Sequence, residues 1–212
     1  MRALSNRALL LFSVMLALFQ VGVVAASADE STWTVTDGGR TDAYGLFAAQ
    51  DMTTGSFASC HDTSMIVRFR NGTGLSGTGL IMITYGSLGD CTGNAGVELA
   101  IHPRGLPWKM DATSYDPQTG TTTGTLTSDD AAGISAVVNV DFIGCEVKIG
   151  GPGTDKGVIQ TTYKNTTGEL TFSGGNLVVT SVSSGCSLVD VGDPIMLQGY
   201  YTVSPVPTIS SS

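Results

Sequence analysis

The sequence predicts an all-β chain: an antiparallel β-sandwich or barrel of about a dozen short strands, stapled by two disulfides. Three observations lead there. Apolar and polar residues alternate with period two in many short runs, and no stretch after the first 28 residues sustains a helical period. Clusters of Gly, Asn, Asp and Pro separate those runs. Four cysteines, an even number, occur in a chain that opens like an exported protein.

The elements follow in order. Arg2 and Arg7 precede an almost purely apolar run at 8–19, and Ala26-Ser27-Ala28 places small residues at a cleavage site. Residues 1–28 therefore read as a cleaved signal peptide. The apolar run is shorter than the roughly 20 residues that span a bilayer, and Asp29 and Glu30 follow it. Residues 32–36 read as the first strand and 42–49 as a short helical turn. In 64–70, Met65, Val67 and Phe69 share a face, with Arg68 and Arg70 opposite. Strands are expected at 79–85 and at 96–102, where Val97, Leu99 and Ile101 oppose Glu98 and His102. Next come 109–115, 121–127 and 133–142, and then 145–149, with Cys145, Val147 and Ile149 on one side. The series closes with 157–163, 169–172, 177–182 and 195–203. Tyr115-Asp-Pro-Gln-Thr-Gly120 and Tyr163-Lys-Asn-Thr-Thr-Gly168 share one pattern, and each reads as a hairpin turn whose Gly accepts positive φ. Residues 29–204 form one expected domain, with two loosely similar halves and one disulfide in each as one arrangement. Residues 205–212, punctuated by Pro205 and Pro207, read as a flexible tail.

Cys60–Cys91 and Cys145–Cys186 are the expected pairs, since each joins neighbours in sequence. Without Arg2 and Arg7 the chain carries 8 basic and 18 acidic residues, a net charge of −10. That balance disfavours nucleic acid and anionic membrane, both of which need cationic footprints. The expected location is extracellular, with no membrane span once the signal is removed.

Several segments resemble a functionally uncharacterised group of secreted actinobacterial proteins. They are Gly74-Leu-Ser-Gly-Thr-Gly79, Asp90-Cys91-Thr-Gly93, Gly105-Leu-Pro-Trp108, Ala112-Thr-Ser-Tyr-Asp116, Gly174-Gly-Asn-Leu177 and Tyr201-Thr-Val-Ser-Pro205. The resemblance implies export, disulfides and β structure, and it supplies no catalytic residues.

Catalytic patterns are weak. Gly74-Leu-Ser-Gly77 lacks the last glycine of a nucleophile elbow, and His61 and His102 are the only imidazoles. Glu98, Asp111, Asp116, Asp141, Glu146 and Glu169 are the carboxylates that a hydrolase site would draw on. Calcium is a weak cofactor candidate at Asp190 and Asp193, a short oxygen-rich loop. Trp108, held by Gly105 and Pro107 beside Lys109 and Asp111, is the candidate recognition aromatic. The expected function is a secreted, non-catalytic protein that binds extracellular polysaccharide or protein. The alternatives are a carboxylate hydrolase and a small-ligand barrel, and an open lumen would support the last.

Overall fold

The computed structural model describes residues 32–212, so the expected signal peptide at 1–28 lies outside the described residues. Fifteen strands follow one another with two short 3-10 turns between them. They are β1 (Trp33–Thr36), β2 (Gly39–Asp51), β3 (Phe57–Phe69), β4 (Gly72–Leu75), β5 (Ile81–Gly93), β6 (Glu98–Arg104), β7 (Trp108–Asp116) and β8 (Thr121–Ser128). The second half supplies β9 (Ser135–Val140), β10 (Cys145–Gly150), β11 (Ile159–Lys164), β12 (Glu169–Ser173), β13 (Val178–Val182), β14 (Ile195–Ser204) and β15 (Thr208–Ser211). The all-β expectation and both disulfide pairs are therefore observed.

Twelve strands form one antiparallel sheet that folds back on itself. Its order is β13-β10-β9-β6-β5-β3-β2-β14-β12-β11-β8-β7, and β7 returns to pair with β5. The ring from β5 through β3, β2, β14, β12, β11 and β8 to β7 is a closed eight-stranded barrel, the first lobe. β5 serves two partners along its length. Ile81–Ile83 pair with β7, whereas Leu88, Cys91 and Thr92 pair with β6. From there β6, β9, β10 and β13 curve round a second lobe. That lobe closes where Val178 bridges Pro194 and the Ile195 N–H donates to the Leu177 carbonyl at 2.9 Å, at the start of β14.

Large side chains fill the first lobe. Tyr163, Tyr201, Phe172, Phe69, Met110 and Leu126 are buried in it. The Phe69 and Tyr163 rings meet edge-on at 4.9 Å, and the Phe172 and Tyr201 rings lie 5.4 Å apart. Burial pushes the Tyr201 phenol up to about 12. β14 shows the simplest alternation, with Ile195, Leu197, Gly199, Tyr201 and Val203 all inward.

Three expectations need correction. Residues 42–49 are not helical but lie in the middle of β2, paired on both sides with β14 and β3. A Cβ on Gly45 would collide with the Tyr200 carbonyl oxygen, so the small residue serves strand contact. Residues 205–212 are not frayed. β15 pairs with β1, Ile209 is fully buried, and the Tyr163 hydroxyl donates to the Pro207 carbonyl at 2.6 Å. Nor are the disulfides shared between the lobes. Cys60 and Cys91 face each other across β3 and β5 and pack against Ile101, Leu99 and Val138 of the second lobe. Cys145 in β10 is joined to Cys186 beyond β13, in that same lobe.

Both hairpin turns are observed. One joins β7 to β8 and the other β11 to β12, with Gly120 and Gly168 at φ 67° and 65°. The turns touch, the Asn165 N–H donating to the Gly120 carbonyl at 3.0 Å. Beside them the small sheet β15-β1-β4 is anchored by Asn165, whose amide exchanges two hydrogen bonds with Ile209.

Candidate functional site

The second lobe is not filled. Its inward residues are shorter than those of the first, and a cavity of about 190 Å³ remains between them. Phe47 and Ala49 of β2 line one wall, with Leu99 and Ile101 of β6 next to them. Ala136, Val138 and Val140 of β9, Val147 and Ile149 of β10, and Val179 of β13 form the opposite wall. Ile195 and Leu197 of β14 complete the circuit. Each of these side chains faces inward because the strand alternation turns every second residue to the lumen. Asp51 is the sole ionisable side chain among the lining residues.

Four separate segments meet at the mouth. Phe57 opens β3, Asn94 starts the turn Asn94–Gly96, and Phe142 and Ile143 belong to the turn Asp141–Ile143. Leu188 and Val189 come from the loop between β13 and β14. Phe142 is 72% exposed, and Phe57, Ile143 and Leu188 are exposed as well. Singly, exposed apolar side chains need no explanation, but four that converge on one opening form a patch.

The loop carrying Leu188 and Val189 is held at several points. Ser56 Oγ donates to the Leu188 carbonyl at 2.9 Å. Cys186 ties it to β10. Ser183 exchanges two bonds with Glu146, through its Oγ at 2.8 Å and its N–H at 2.9 Å. At its far end the Asp190 N–H donates to the Asp193 carboxylate at 2.7 Å, and the Met52 N–H donates to the Pro194 carbonyl at 2.9 Å. The Asp190 N–H holds the Asp193 carboxyl below its ordinary range.

Asp51 is among the lining residues, yet its side chain is almost fully buried. Its Oδ1 accepts the Thr53 and Thr54 N–H groups at 2.7 and 2.8 Å, and its Oδ2 has no protein donor. An Asp followed by Met-Thr-Thr-Gly has the composition of an ordinary turn, so nothing in the sequence marks Asp51 as a lining residue.

The residues singled out from sequence sit elsewhere. Trp108 is a buried wall residue whose indole N–H donates to the Arg104 carbonyl at 2.9 Å. It lines a smaller void of about 50 Å³, which shares Phe47, Ile101, Ala136, Leu177 and Leu197 with the main cavity. Lys109 Nζ pairs with Asp129 instead. Asp111 accepts the Gly79 N–H at 2.9 Å and the Thr127 hydroxyl at 3.3 Å. Trp108 faces away from Lys109 and Asp111, since neighbours on β7 alternate in direction, and Lys109 and Asp111 share a face that their partners on and beyond β8 already occupy. Asp193 is occupied by its own turn, and Asp190 is exposed beside it. Among the described residues no group of three or more His, Cys, Asp or Glu is gathered as a metal would need. None of Glu98, Asp111, Asp116, Asp141, Glu146 and Glu169 lines the cavity. Asp116 caps its hairpin turn, accepting from the Thr119 hydroxyl at 2.7 Å and the Gln118 N–H at 2.9 Å.

Apolar residues in the loops could have signalled the mouth. Phe142-Ile143 and Leu188-Val189 are apolar pairs within turn-like sequence, where polar residues are the rule.

No family model, curated protein or solved structure matches this chain. No helix of the described residues is long and apolar enough to cross a membrane.

Proposed function

We propose that this is an exported, non-catalytic binding protein that holds a small apolar molecule in the cavity of its second lobe. The aliphatic cavity, open at one end, carries the reading. Cores pack to nearly crystalline density, and voids of this size are rare without a use. The same chain fills its first lobe with aromatic rings, so the emptiness is local. Apolar cavities of this scale can take up apolar guests. The N-terminal export pattern and the two disulfides support an extracellular setting for this binding.

The test is titration of the oxidised chain 29–212 with Nile red, an uncharged apolar fluorophore. One saturable site is expected, lost in Val138→Trp, which fills the lumen, and retained in Tyr44→Ala on the outer face. Absence of saturable binding, or binding unaffected by Val138→Trp in a folded variant, refutes the proposal.

A second reading, binding of envelope polysaccharide or protein, rests on one observation. Tyr44, Tyr85 and Tyr200 are exposed on the outer face of β2, β5 and β14. Retention on insoluble polysaccharide that is lost in the triple alanine variant would favour it.

A further inference from the structure

The cavity's own chemistry restricts what it can hold. Among the described residues its lining offers no lysine, arginine or histidine. The one ionisable lining group is Asp51, an acid, and its Oδ2 lacks a protein donor. The other polar side chains lie at the edge: Gln50, Ser56 and Asn94. Asn94 Oδ1 already accepts the Phe57 N–H at 2.8 Å, and Ser56 Oγ already donates to Leu188. An anionic head drawn into this opening would lose water and gain no counter-charge. A cationic head fares no better, because Asp51 Oδ2 is buried out of reach and Oδ1 is fixed in its turn. The walls are Val, Leu, Ile and Ala for the most part, with Phe47, Phe57 and Phe142 among them.

We infer that the ligand is an uncharged aliphatic molecule with at most one neutral polar end, such as a medium-chain alcohol, ester or isoprenoid, and not a free fatty acid. This inference rests on the second-lobe cavity being the binding site. The chain enters between Phe57, Phe142 and Leu188, and its polar end stays at the mouth. A buried carboxylate is held by a cation or a set of donors, and the described lining supplies no cation for one.

The experiment is displacement of bound Nile red from the oxidised chain by decanol, methyl decanoate, decanoate and decylamine at pH 7.5, each below its aggregation threshold. Decanol and the ester should displace at concentrations at least tenfold lower than decanoate or decylamine. Decanoate or decylamine competing as well as decanol against the unaltered protein overturns the inference while leaving the cavity reading intact. If Nile red itself fails to bind, the cavity reading falls, and this inference with it.

Discussion

Single residues decide which parts of this chain are structural. Trp108 is the clearest case. Its setting after Gly105 and Pro107 suggests a displayed ring, but the structure buries it and satisfies its N–H on the Arg104 carbonyl. Trp108→Ala should therefore lower stability by about 3–5 kcal/mol, read by denaturant melts. A stable variant that had merely lost a ligand would contradict that placement. Asp193 gives a pH dependence. Its folded-state carboxyl is held below the ordinary 3.8 by the Asp190 N–H. A depressed acid contributes stability that is complete above the unfolded value and is lost as pH falls through the folded one. The melting temperature should thus decline below about pH 4, with the 183–194 loop loosening first. Asp193→Asn keeps the acceptor and removes the titration, so its decline should be shallower. Equal slopes for the two proteins would disprove the assignment. Neither residue's role could be read from sequence, because an indole beside Pro and an Asp in a turn are common to sites and to scaffolds alike.

At the scale of elements, alternation was legible wherever a strand kept one phase. β14 and β10 are read almost residue for residue, since every second side chain is apolar. β3 is legible only in its second half. Gly45 pairs with Thr63 while Phe47 pairs with Cys60, so a bulge at His61–Asp62 switches the inward face from Cys60 to Thr63. That switch breaks the period-two signal over residues 57–63. β2 was hidden for a different reason: Ala43, Gly45, Ala48 and Ala49 make it small and weakly patterned. The C-terminal strand was hidden by its composition, as Pro and Ser mask two buried residues, Pro207 and Ile209. Ile209→Ala should cost about 2–5 kcal/mol, as for a core residue, measured by chemical denaturation. A frayed tail would show a change under about 0.5 kcal/mol.

The whole molecule joins a packed lobe to a hollow one through shared strands. Sequence patterning specifies which residues face inward, but the same pattern serves a filled and an unfilled lumen. What differs is volume, summed over strands distant in sequence, and one chain read linearly does not show that sum. Cys60–Cys91 joins two strands of the first-lobe ring and packs against the hollow lobe, and Cys145–Cys186 lies in the hollow lobe itself. Each restrains a loop, of 31 and 41 residues in sequence separation, by roughly 3–4 kcal/mol in the chain-entropy model. Reduction should therefore raise amide exchange in β6, β9, β10 and β13 more than in β8, β11 and β12, and should weaken apolar binding. Equal protection losses across both lobes would mean that the crosslinks stabilise the molecule as one unit.

The most direct test of the central claim is methyl NMR of the oxidised chain, titrated with decanol. Saturable shifts are expected for Leu99, Val138, Val147 and Val179 in the hollow lobe, with Leu126 and Leu170 of the packed lobe unmoved. Shifts spread over both lobes, or none at saturating decanol, would contradict the assignment of the second lobe as a binding cavity.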